Sequence, residues 1–253
     1  MPIPGILKDR LLDIQYCGIL FSGGYDSEVL LRYAVEVLGA SDVLSLTADT
    51  SMLAGFYREH IMSVGRELGV ETLLVPLDLI SIEAFTMNTG RRCYVCKKEI
   101  YSKLKAEAVL RHCKAVLDGT STDDLNEYRP GLAAAAETGI VHLFVESSMG
   151  AKEIAELGEH LGIKKEDYPS DSCLATRIPS GNRISSDLLH IVEIMEAPLR
   201  PSVKGRFRVE VHFGKLLVNY SAIDERVVEK HLKQLTRIAE KSGYGIKLNK
   251  LNQ

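Results

Sequence analysis

Tryptophan is absent, and aromatic residues make up only 6% of the 253-residue chain. With no second C-x-x-C pair to form a zinc ribbon, little is available to build a surface that stacks or grips RNA. Neither sign of charge dominates: 31 Lys+Arg against 34 Asp+Glu give a formal charge of -3, without the positive field of a general nucleic-acid binder. No apolar run approaches the roughly 18 residues of a membrane span. The opening Met1-Pro2-Ile3-Pro4 soon meets Lys8, Asp9 and Arg10, which break any secretory core, so the expected location is cytoplasmic. Cysteine is sparse and odd in number, at positions 17, 93, 96, 113 and 173, which argues against a disulfide framework and for metal or sulfur chemistry. The G-x-x-x-x-G-K-[ST] pattern is missing too, and with it the phosphate-clamping lysine of Walker-type hydrolases.

What is present is an ordinary globular composition, 45% hydrophobic and 26% charged, too apolar for disorder. Short apolar runs at 14–21, 43–48, 72–77, 114–118 and 140–145 alternate with helical segments, the pattern of an α/β protein with a parallel five-stranded sheet. The helix expected over 27–38 places Val29, Leu30, Tyr33, Ala34 and Val37 on one face and meets Gly39 where it should stop. Over 164–183 the periodicity fades into KKEDYPSDSCLATRIPSGNR, and a polar loop of that length inside a compact chain signals function or a linker. Two domains are expected, residues 1–165 and a small α+β unit over 166–253. The second comprises a helix at 187–196, strands at 206–212 and 215–220, a helix at 225–241 and a last strand-like piece.

The sharpest local motif is Ser22-Gly23-Gly24-Tyr25-Asp26-Ser27, set directly after one expected strand and directly before a helix. Glycines let the backbone come close to an anion, and successive N–H groups at a helix start form a positive nest for pyrophosphate. The hydroxyls of Ser22 and Ser27 add donors, and Asp26, which repels a bare phosphate, suits the holding of Mg²⁺ against a nucleotide. SGGYDS resembles the signature loop of the PP-loop ATP pyrophosphatases, which cleave ATP between its α and β phosphates to adenylate a substrate. That resemblance implies the PP-loop fold and ATP as cosubstrate. It also implies adenine contacts at the end of the second strand, here Thr47-Ala48-Asp49 with Ser51 close behind. An acidic loop after the fourth strand, Asp118-Gly119-Thr120-Ser121-Thr122-Asp123-Asp124, matches a further nucleotide or Mg²⁺ site, with Gly119 and Asp124 as its candidates. Read from the residues alone, those acids serve equally well to cap a helix.

Cys93 and Cys96, in RRCYVCKKEIY, have the spacing that turns two thiolates toward one metal, and Arg91, Arg92, Lys97 and Lys98 supply the electropositive setting of ligating cysteines. Cys173 lies in the long polar loop, where a buried structural cysteine would be out of place, whereas Cys17 and Cys113 fall in or beside core strands and read as small hydrophobes. The trio of 93, 96 and 173 admits three readings: part of a zinc site, a thioredoxin-like redox pair, or a three-cysteine [4Fe-4S] cluster with one iron open to hydrosulfide.

Taken jointly, SGGYDS, the C-x-x-C with KKEIYSKL, DGTSTDDLNEYRPG, DSCLATRIPSG and RFRVEVH resemble the LarE group of PP-loop enzymes over most of the chain. These are ATP-dependent sulfur-inserting enzymes of nickel-pincer cofactor biosynthesis. The resemblance implies that carboxylates of a pyridinium biscarboxylic acid mononucleotide become thiocarboxylates through an acyl-adenylate. In members with a single cysteine, the position matching Cys173 gives up its own sulfur. Cys93 and Cys96 set this chain apart and imply the branch in which these two and Cys173 bind a [4Fe-4S] cluster fed by an external sulfide donor. Asp26 and Cys173 are then the catalytic candidates, Arg177, Glu193, Arg206 and Arg208 the substrate-binding ones, and a homo-oligomer the expected assembly. The rival is tRNA thiolation by a PP-loop thiolase, against which the composition argues.

Overall fold

The computed structural model describes residues 5–126, 130–168 and 173–251. Residues 127–129 of the DGTSTDDLNEYRPG motif, 171–172 of the DSCLATRIPSG motif and the opening Met1-Pro2-Ile3-Pro4 lie outside the described residues. The elements in chain order are α1 (Gly5–Ile14), β1 (Cys17–Leu20), α2 (Tyr25–Leu38), β2 (Val43–Asp49), α3 (Gly55–Leu68), β3 (Glu71–Pro76), α4 (Glu83–Thr86), α5 (Arg92–Leu110), β4 (Ala115–Leu117), α6 (Pro130–Thr138), α7 (Leu143–Glu146), α8 (Ala151–His160), α9 (Ser186–Glu196), β5 (Phe207–His212), β6 (Lys215–Ser221), α10 (Glu225–Lys241) and β7 (Gly245–Leu251). They divide into two compact units: Met1–Thr50, Tyr57–Leu77 and Cys93–Tyr168 form the first, and Ser51–Phe56, Asp78–Arg92 and Pro169–Gln253 the second.

In the first unit, β1 to β4 form a parallel sheet in the order β3-β2-β1-β4. Strand β1 is buried along its whole length, as a parallel strand covered on both faces must be. Leu20, Leu44, Leu46, Val75 and Val116 of the sheet pack with Tyr101, Leu104 and Ala108 of α5. Helix α2 lays Val29, Leu30, Tyr33 and Ala34 into the core, as its periodicity requires, and ends before Gly39.

The strand expected over 140–145 is not formed. Among the described residues it shrinks to a single parallel bridge between Val141 and Leu117, in which Val141 N–H donates to Val116 O (2.9 Å) and Asp118 N–H donates to Val141 O (3.2 Å). The chain then turns at His142 into α7, so the described parallel sheet has four strands rather than five. A short apolar run satisfies a buried strand and a buried helical turn equally, and Leu143 and Phe144 are completely buried in the helical form.

In the second unit, β5 pairs antiparallel with β6, and β6 pairs parallel with β7. Helix α10 makes the crossover that a parallel pair needs. Alternation along β5 sends Phe207 and Val209 into a core shared with Leu216, Val218 and Tyr220, with Met195 and Leu199 in and after α9, and with Val228, Leu235 and Ala239 of α10. Burial of each large apolar side chain of this kind contributes roughly 2 kcal/mol. Among the described residues no helix is long and apolar enough to cross a membrane.

Candidate functional site

The strand order of the first unit reverses beside β1, with β2 on one side and β4 on the other. In open parallel sheets, ligands bind outside the carboxyl ends of the strands at such a switch point. The loops flanking it are 22–27, after β1, and 118–124, after β4.

Loop 22–27 is closed on itself. Ser22 N–H donates to Ser27 Oγ (3.3 Å), which in turn donates to Gly24 O (2.8 Å). Ser22 Oγ lies 3.1 Å from Ser27 Oγ and accepts Gly24 N–H at 3.4 Å. Gly23 has φ +80, and a Cβ there would come within 3.1 Å of the Tyr57 ring and 3.3 Å of Ile61, so conformation and space both call for glycine. Helix α2 starts from Gly24 without a side-chain cap, an arrangement that leaves its positive dipole end for an anion. Gly119 then joins the two loops: a Cβ there would sit 2.8 Å from Ser27 N and 3.0 Å from the Asp26 carbonyl carbon, so any larger residue would push loop 118–124 off the start of α2. Asp26 pairs with Lys165 Nζ at 3.4 Å, and the same ammonium lies 5.3 Å from the Tyr25 ring centre. Two half-exposed partners gain little stability from each other, but the pair brings a cation to the start of α2. The sequence did not single out Lys165, because nothing within the polar KKED run marks it.

Asp118 follows β4 and is 5% exposed. Its carboxylate accepts the Tyr101 hydroxyl (2.7 Å), Thr120 N–H (3.1 Å) and His142 Nδ1 (2.6 Å); a carboxylate only accepts, so Nδ1 carries the proton. Burial alone would raise the Asp118 pKa, but the hydrogen bond and charge of His142, the charge of Lys97 and the Tyr101 hydroxyl outweigh it and hold the carboxyl at about 2. Tyr101 is pushed well up, first by burial and then by the Asp118 charge. A depressed carboxyl pKa stabilises the fold fully above the unfolded value of about 4, and the contribution disappears as pH falls toward about 2. Its size is roughly 2 kcal/mol. Denaturant titrations across that pH window should show the wild type losing roughly 2 kcal/mol more than Asp118→Asn; equal losses would contradict the assignment.

The other acids of the loop brace turns. Asp124 accepts both the N–H (2.8 Å) and the hydroxyl (3.1 Å) of Ser121, and Asp123 accepts Ala151 N–H (2.6 Å) at the start of α8. Ala48 is half-buried near the end of β2, opposite Val75, and neighbouring Asp49 accepts Arg58 Nε at 3.1 Å. Ser51 belongs to the second unit, is exposed, and donates to Met52 Sδ at 3.5 Å.

Cys93 and Cys96 open α5, three residues apart and therefore on one face. Cys93 is exposed, Cys96 half-buried and Cys173 exposed. The remaining thiols differ: burial, with Cys113 as a lesser cause, pushes fully buried Cys17 up to about 12, and burial raises Cys113 as well. Accessible sulfur at 93, 96 and 173 therefore suits soft-metal ligation, which Cys17 and Cys113 do not. Cys93 and Cys96 lie in the first unit and Cys173 in the second; among the described residues no group of three or more His, Cys, Asp or Glu side chains is arranged to hold a metal ion.

Cys173 precedes a 3-10 turn over Leu174–Arg177. Arg177 is completely buried; its Nε and Nη2 donate to the Glu196 carboxylate at 3.0 and 3.2 Å, and Glu196 also accepts Val209 N–H at 2.8 Å and pairs with Arg200. Glu196 was not legible as its partner, since a glutamate near the end of an amphipathic helix reads as solvated. Arg206 is exposed just before β5 and Arg208 half-buried within it, on the face opposite Phe207 and Val209. Glu193 accepts Gly55 N–H at 2.7 Å, a carboxylate at the start of α3.

No family model matches the chain. It is 32% identical over 209 residues to the pyridinium-3,5-bisthiocarboxylic acid mononucleotide synthase of Lactiplantibacillus plantarum, an alignment covering 81% of this chain and 76% of that one. A protein of Synechocystis sp. whose name assigns no activity is 29% identical over 228 residues, 89% of this chain and 85% of its own. Another such protein, from Methanocaldococcus jannaschii, is 32% identical over 191 residues, 76% and 72% of the respective chains.

Proposed function

Because the chain belongs to the LarE family, we propose that it is an ATP-dependent sulfurtransferase that converts carboxylates of a pyridinium biscarboxylic acid mononucleotide into thiocarboxylates for the nickel-pincer cofactor. A carboxylate resists nucleophiles because it is anionic and its oxygen leaves badly. Transfer of AMP from ATP to that oxygen releases pyrophosphate and leaves an acyl-adenylate; sulfide then forms the C–S bond as AMP departs. Residues 22–27 and the start of α2 hold the β and γ phosphates and stabilise charge on the leaving pyrophosphate. Asp26 would hold Mg²⁺, which when bound would neutralise phosphate charge. Ala48, Ser51, Gly119 and Asp124 complete the nucleotide site, and Lys165 stands beside Asp26. Arg206, Arg208 and Glu193 grip the substrate, while Arg177 braces the turn after Cys173.

Cys93, Cys96 and Cys173 would hold an iron–sulfur cluster. When bound, such a cluster supplies an iron position that carries inorganic sulfide from an external donor. The closed anion loop abutted by Gly119 supports the adenylation half of this reading most strongly.

The test is anaerobic purification with iron and acid-labile sulfide quantified, followed by incubation with ATP, Mg²⁺, sulfide and the biscarboxylic substrate. The expected result is iron-loaded protein, oxygen replaced by sulfur in the product, and one AMP and one pyrophosphate formed per sulfur. Iron-poor protein that still makes product would remove the cluster from the reading. AMP without thiocarboxylate would remove sulfur transfer itself.

A further inference from the structure

We propose that Asn88 is the positioning residue of the Cys173 loop: it fastens the loop that begins at Cys173 to the segment ending at Arg92, the residue before Cys93. The inference rests on the reading that these cysteines act together. Asn88 is 1% exposed and has φ +53, a left-handed conformation that Asn tolerates better than most residues. Its Nδ2 lies within hydrogen-bonding distance of three carbonyls of the loop, Ile178 O (3.1 Å), Pro179 O (2.9 Å) and Asn182 O (2.9 Å). Its Oδ1 accepts Arg92 Nη1 at 2.6 Å, and the same nitrogen donates to Ala175 O at 3.1 Å. Its backbone carbonyl accepts Gly181 N–H (3.0 Å) and the Ser180 hydroxyl (3.1 Å). Two residues upstream, Thr86 O accepts Ile184 N–H at 2.8 Å.

Residues 175–184 are too irregular for a ladder of their own, and buried carbonyls must find donors. Asn88 and Arg92 supply them. The carboxamide suits the place because it combines two N–H donors with an acceptor on one short side chain; aspartate would turn lone pairs toward the loop carbonyls. Arg177 ties the same stretch to α9 through Glu196, so the loop after Cys173 is fixed at two points. Thiols that share one metal centre need such outer supports to hold their positions before metal arrives.

The test compares wild type with Asn88→Gly, which keeps the left-handed backbone and deletes the clamp, and with Arg92→Met, which removes only the guanidinium link. Hydrogen–deuterium exchange of the iron-free proteins, resolved by peptide mass spectrometry, reads the amides of Gly181 and Ile184, which donate to Asn88 O and Thr86 O, against those of β6 as internal reference. Loss of about one net hydrogen bond's worth of protection should speed exchange over 174–184 by about tenfold in Asn88→Gly and less in Arg92→Met, with β6 unchanged. Iron and acid-labile sulfide bound on anaerobic reconstitution should fall by the same order, while nucleotide affinity stays within about twofold, since loop 22–27 is untouched. Wild-type exchange over 174–184 in both variants overturns the proposal, as does equal acceleration in β6, which would mean general loosening. If wild type takes up no iron, the cluster reading fails and the exchange alone decides the clamp. If Asn88→Gly does not fold, Arg92→Met decides it.

Discussion

Replacing Glu196 with glutamine should cost about 3–5 kcal/mol of stability, because it removes one charge from a buried pair and leaves the other in place. Arg177 is 0% and Glu196 2% exposed, and water therefore cannot resolvate the guanidinium without opening the unit. The carboxylate accepts Arg177 Nε, Arg177 Nη2 and Val209 N–H, and also pairs with Arg200. A carboxamide of the same shape would turn its own N–H₂ toward one of those donors. Chemical denaturation of Glu196→Gln measures the effect; a loss below about 1 kcal/mol would place the pair in solvent contact. Replacing both partners, Arg177→Met with Glu196→Leu, should recover part of the loss because the fully buried guanidinium goes with its carboxylate. Recovery stays incomplete, since Arg200 and Val209 N–H both lose their acceptor.

Cys173→Ser should abolish sulfur transfer, by at least about 1,000-fold, while ATP–pyrophosphate exchange stays within about threefold. Serine keeps the volume but is neither a soft metal ligand nor a source of sulfur, and loop 22–27, to which adenylation is assigned in the proposed function, contains none of the three cysteines. Loss of pyrophosphate exchange in this variant would show that the two half-reactions are not separable. Cys93→Ser then tells the two sulfur sources apart. If all three thiols act together, it fails as completely as Cys173→Ser. If Cys173 donates its own sulfur, Cys93→Ser still makes one product per chain and leaves dehydroalanine at 173, visible in the mass of the intact protein.

Much of the fold followed from short-range pattern. The apolar stripe of 27–38 became α2, the alternation over 206–212 became β5 with Phe207 and Val209 inward, and α10 spans Glu225–Lys241 as its amphipathic repeat requires. The closed turn at 22–27 was legible for the same reason: glycine placement and hydroxyl spacing act within one turn of chain. Partners distant in sequence were not legible. The sequence by itself determined where most of the helices and strands lie and that a tight glycine turn joins β1 to α2. Only tertiary structure decided that 140–145 bridges once and then turns into α7, that the Arg177 charge goes to Glu196 19 residues away, and that Asn88 reaches Ile178 across 90 residues. Local periodicity encodes a residue's own conformation and face, whereas the choice of partner is made by the three-dimensional competition for buried donors and acceptors.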